Sequence, residues 1–130
     1  MNRVVHFEIQ ADNPERAMKF YKDVFDWTFQ RWGDQQYWLI MTAEEHSKEP
    51  GINGGLLTRP AKTPAQECGT NAYTCTVQVT NFDETAKKIE AAGGLVAMPK
   101  FALPGMAWQG YFLDPEGNVF GVHQPDKNAK

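Results

Sequence analysis

Residues 4–10 alternate in character: Val5, Phe7 and Ile9 are apolar, while His6, Glu8 and Gln10 are polar. A period of two predicts a strand with one apolar and one polar face. A helix is predicted directly after it. Asn13 suits an N-cap, Pro14 suits the first turn, and Ala17, Met18, Tyr21, Val24 and Phe25 recur at helical spacing. Three further strands are expected at residues 27–32, 36–41 and 52–58.

The same order returns in the second half of the chain. Setting Ile9 on Val77 also sets Gln10 on Gln78, Asn13 on Asn81 and Lys19 on Lys87. Tyr73, Cys75, Val77 and Val79 form the apolar face of a strand, and Thr74, Thr76 and Gln78 the polar one. Asn81 and Glu84 have the spacing of a capping box, Ala86, Ile89 and Ala92 make a helical stripe, and Gly93-Gly94 ends it. Strands are expected at 95–98, 107–113 and 118–123. The chain therefore reads as one α+β domain over 1–130, made of two βαβββ modules with curled mixed sheets. Module one covers about 1–58, a linker 59–71, and module two about 72–126. Residues 43–51 are polar enough for a solvated loop. Residues 100–105 (KFALPG) are apolar for a loop and suit either a lid or packing on the sheet edge.

Composition narrows the function. A net charge of −3 supplies no basic stripe, so no nucleic-acid partner is expected. The apolar runs are too short to span a bilayer, and the N-terminus lacks a signal-peptide core, so the protein is expected to be soluble and cytoplasmic, with no membrane partner. Cys68 and Cys75 have no metal-knuckle spacing and read as structural thiols.

Each helix can cover only the apolar face of its sheet. The opposite face then carries His6, Glu8 and Gln10 in one module and Thr74, Thr76 and Gln78 in the other. Such a face can simply meet water. Trp38, Trp108 and Phe112 on neighbouring strands would instead turn it into a cupped ligand trough, although each ring also suits a core. Arg59, beside the linker, suits an anionic substrate or an ordinary surface position. Residues 114–117 (DPEG) form a turn, and the strand after it has Gly121 at its centre, where a side chain should pack.

The opening VVHFEIQADNPERAMKFYKDVFDW, the mid-chain INGGLL and the closing YFLDPEGNVFGV resemble the vicinal oxygen chelate superfamily, which includes glyoxalase I, extradiol dioxygenases, fosfomycin-resistance enzymes and bleomycin-resistance proteins. More narrowly, the chain is similar to its glyoxalase-related uncharacterised branch. The resemblance implies cupped sheets, a ligand site, homodimers, and in the metalloenzymes four inward-facing positions that hold a divalent metal. Those positions fall on His6, Gly55, Thr74 and Gly121. Two have no side chain and threonine is a poor ligand for Zn²⁺, Ni²⁺ or Mn²⁺, so no metal and no other cofactor is expected.

The reading that follows is a homodimer binding a small organic molecule, with His6 and Glu8 as candidate catalytic groups. Trp38, Thr74, Thr76, Gln78, Trp108, Phe112 and His123 are expected as further contacts, and Gly55 and Gly121 as clearings. If it is an enzyme, a lyase or isomerase related to lactoylglutathione lyase is the first expectation. One alternative is a metal-dependent lyase, isomerase or dioxygenase with relocated ligands His6, Glu8 and His123. Another is an association module, with Phe101 and Trp32 at the contact.

Overall fold

The computed structural model describes residues 1–65, 72–116 and 118–130, so Cys68, the end of the linker and the turn residue Gly117 lie outside it. The architecture is α+β, with two helices and eight strands among the described residues. The chain divides into two compact units, one of His6–Tyr73 and the other of Met1–Val5 with Thr74–Lys130. The first five residues sort with the second unit, where the Asn2 backbone N–H donates to the Gln78 carbonyl at 2.8 Å.

β1 (Arg3–Ala11), which belongs to the first unit from His6 onward, leads into α1 (Pro14–Phe25), then β2 (Thr28–Arg31), β3 (Tyr37–Met41) and β4 (Gly54–Thr58). The spatial order is β2-β3-β4-β1, with β4 antiparallel to β3 and parallel to β1. The Asn13 side chain accepts from the Arg16 N–H, a cap worth about 1 kcal/mol. Ala17, Met18 and Tyr21 pack against Phe7, Ile9, Ile40 and Leu56. Val24 and Phe25, expected in the buried stripe, are more than half exposed.

The second unit repeats this plan. Here β5 (Thr74–Gln78) leads into α2 (Phe82–Ala91), β6 (Leu95–Leu103), β7 (Ala107–Leu113) and β8 (Val119–Pro125), in the order β5-β8-β7-β6. The Asn81 side chain accepts from the Glu84 N–H, and Gly93, at φ 96°, closes the helix after Ala92. Phe82, Ala86 and Ile89 pack on Val79, Phe112 and Val122. The stretch expected as a lid or loop at 100–105 is largely strand: Phe101, Ala102 and Leu103 pair with Gln109, Trp108 and Ala107. The register shifts on either side of Met98 absorb Pro99, which an edge strand tolerates because one row of its N–H groups goes unused. Phe101 is accordingly half-buried in a strand, while Trp32 remains exposed.

Candidate functional site

Alternation along β1 separates two jobs. Phe7 and Ile9 join the core under α1, which turns His6 and Glu8 to the opposite face of the sheet. Register brings Gly55 of β4 beside Glu8, and Leu39 of β3 beside Gly55. Tyr37, two residues earlier on β3, projects from this same face. Its hydroxyl donates to Glu8 Oε2 at 2.9 Å and lies 2.9 Å from His6 Nε2. Glu8 is 8% exposed and His6 half-buried. Burial holds the His6 imidazole below its ordinary value of 6.5, outweighing the nearby Glu8 carboxylate, which raises it.

Gly55 is what allows this arrangement. A Cβ at that position would overlap the Tyr37 hydroxyl and come within 2.6 Å of its ring carbon Cε1. The glycine is therefore not a clearing for a ligand: its missing side chain is replaced by the tip of Tyr37.

The second unit has the same register with different chemistry. Thr76 of β5 lies beside Gly121 of β8, and Tyr111 of β7 beside Gly121. A Cβ on Gly121 would overlap the Thr76 hydroxyl and approach Gln109 Nε2 to 3.0 Å and Tyr111 Cε1 to 3.1 Å. This position too is filled from within the protein. Thr76 is 2% exposed, and among the described residues its hydroxyl has no hydrogen-bond partner. On the same face His123 Nδ1 lies 2.8 Å from Gln109 Oε1, in register with Gln78 on β5. Thr74 is half-buried at the start of β5 and shares this face by alternation.

Three expected contacts face the other way. Trp38 is opposite Leu56 and packs into the core of Phe7, Ile9 and Ile40, with the Arg31 guanidinium 5.5 Å from its ring centre. Trp108 and Phe112 pack with Phe82, Val79 and Val122 under α2. All three are core residues because β3 and β7 present their largest apolar side chains to the helix-covered face. Trp108 is further tied down by donating from Nε1 to Asp126 Oδ2 at 2.9 Å. Arg59 is mostly buried, donating to the Gln10 carbonyl at 3.0 Å and sitting 3.6 Å from Asp12, so it braces the end of β1.

The residues missed by sequence reasoning are Tyr37, Gln109 and Tyr111. Gln109 and Tyr111 share a parity opposite to Trp108 and Phe112, a signal legible in AWQGYFL. Tyr37 had no such marker, since both parities of YWLIM are apolar or aromatic.

The positions implied for a metal do not fit one. Gly55 and Gly121 offer no donor atom, and the space beside each is taken by protein atoms. Among the described residues no three His, Cys, Asp or Glu side chains gather as a metal would require. Of the relocated set, His6 and Glu8 lie in one compact unit and His123 in the other.

Residues 3–122 match the model of the Glyoxalase/Bleomycin resistance protein/Dioxygenase superfamily. The chain belongs to that superfamily. A superfamily member from Vibrio splendidus 12B01 has a similar structure, with a TM-score of 0.64 at 13% identity over 94% of this chain and 97% of that one. The Mn(II)-bound glyoxalase from Novosphingobium aromaticivorans gives 0.62 at 18% identity, over 99% of this chain and 41% of that one. Methylmalonyl-CoA epimerase from Mycobacterium tuberculosis gives 0.57 at 14% identity, over 95% and 87%. At such identities the likeness is one of fold. No curated protein matches the chain significantly. No helix among the described residues is long and apolar enough to cross a membrane.

Proposed function

We propose that this superfamily member binds a small organic molecule on the polar face of its sheet, without a divalent metal of the kind bound by the Novosphingobium glyoxalase. The observation that carries this reading is the Tyr37 hydroxyl, which joins His6 to Glu8 in the space a side chain at position 55 would need. A polar chain held at the edge of burial is the kind of feature that orients a ligand. The same proposal takes the protein as a cytoplasmic homodimer. The exposed Phe20, Val24 and Phe25 of α1 are apolar surface that a second copy would cover, and light scattering of the purified chain tests this.

The binding test is a screen by thermal shift and tryptophan fluorescence, using small acids, thiol conjugates, acyl-CoA thioesters and antibiotics. A ligand that raises the melting temperature equally with and without chelator supports the proposal. Stoichiometric metal in untagged protein, with binding lost on its removal, overturns the metal-free part. A blank screen overturns the binding part in favour of an association module. If turnover accompanies binding, lyase and isomerase assays on glutathione conjugates come first.

A further inference from the structure

The chain His6–Tyr37–Glu8 has a direction. A carboxylate oxygen only accepts, so the single hydroxyl proton of Tyr37 is directed to Glu8 Oε2. Toward His6 the same phenolic oxygen can only accept, so the hydrogen in that contact belongs to His6 Nε2. A neutral imidazole with hydrogen on Nε2 carries its lone pair on Nδ1. Among the described residues no hydrogen bond ends on that nitrogen. His6 is half-buried rather than enclosed, and register places Leu39 beside Gly55 and Leu57 beside Tyr37 on the same sheet face.

We infer that His6 Nδ1 is the recognition atom of a site for molecules presenting an N–H or O–H donor on an apolar body, with Tyr37 the positioning residue that sets the histidine's tautomer. The donor answers the lone pair of Nδ1, and the leucines accept the apolar body. The inference rests on the small-molecule reading above and adds the ligand's chemistry. It also gives Gly55 a role: any larger residue there displaces the hydroxyl that orients His6.

Two measurements on the full chain test it. Long-range proton–nitrogen NMR of His6 should show hydrogen on Nε2 in the ligand-free protein, and Tyr37→Phe should shift both nitrogens toward a mixture of tautomers. Hydrogen on Nδ1 in the unaltered protein, or no change in Tyr37→Phe, overturns the inference. Tryptophan-fluorescence titration with 4-methylphenol and toluene, alike except for the donor, should show at least about tenfold tighter binding of the phenol, about 1.4 kcal/mol. His6→Ala should abolish that difference, and Tyr37→Phe reduce it if the alanine variant does not fold. Equal affinities, or no binding of either probe, overturn the donor site. Only a blank result in the wider screen removes the small-molecule reading itself.

Discussion

The two units place a glycine at the same node of the same register and fill the space beside it differently. In the first, Glu8, Gly55 and Leu39 lie side by side, and the Tyr37 hydroxyl fills the gap with bonds to both Glu8 and His6. In the second, Thr76, Gly121 and Tyr111 lie side by side, and the gap is filled by a threonine hydroxyl with no partner among the described residues. A net hydrogen bond contributes about 1 kcal/mol, and a buried polar group left unpaired costs about 1–3 kcal/mol. The backbone thus makes two equivalent vacancies, and side-chain chemistry fills one with a hydroxyl bonded on both sides and the other with a hydroxyl that has no partner among the described residues.

The sharpest way to break this contrast is Gly55→Ala. It forces Tyr37 out of place with loss of its two bonds, and should cost about 3 kcal/mol in chemical denaturation. Added to Tyr37→Leu, the same change should cost less than about 1 kcal/mol, because the obstacle is already gone. Tyr37→Phe alone keeps the ring and removes the hydroxyl, for an expected loss of about 2 kcal/mol. Gly121→Ala meets a threonine hydroxyl with no bond to lose, and should cost about 1–2 kcal/mol. Thr76→Val should fall within about 1 kcal/mol of the unaltered protein, or above it, since the buried hydroxyl it removes is unpaired. A loss well beyond that would mean the second node is as polar as the first.

The smallest expected effect is on pH dependence. The folded His6 titrates below its ordinary 6.5, so the unfolded chain holds more protons as pH falls through that range. The stability this neutral histidine contributes is present above 6.5 and is lost as pH drops toward the folded value. Melting temperatures between pH 7.5 and 5 (about the span in which a histidine titrates) should fall less steeply in His6→Gln than in the parent.

The limits of sequence reading show in particular strands. Alternation at 4–10 separates Phe7 and Ile9 from His6 and Glu8 without help from the fold, because one parity is apolar and the other is not. YWLIM carries no such contrast, so nothing local says that Tyr37 turns from the core and Trp38 into it. That choice follows from pairing Trp38 with Leu56 and Tyr37 with Leu57. The segment 100–105 misleads for a different reason: Pro99, Pro104 and Gly105 read as loop, yet pairing with β7 extends the strand to Leu103.

Local periods and caps thus determined the repeated βαβββ order and the helix starts at Asn13 and Asn81, since each depends on neighbours in the chain; Gly121 stood out as a glycine at a strand centre, and Gly55 only through the ligand positions that the family resemblance implies. Tertiary structure alone decided what fills those glycine positions. Tyr37 reaches Gly55, and Gln109 reaches Gly121, across strands whose register no short stretch of sequence encodes. A one-residue slip in that register would have turned every one of these side chains to the opposite face.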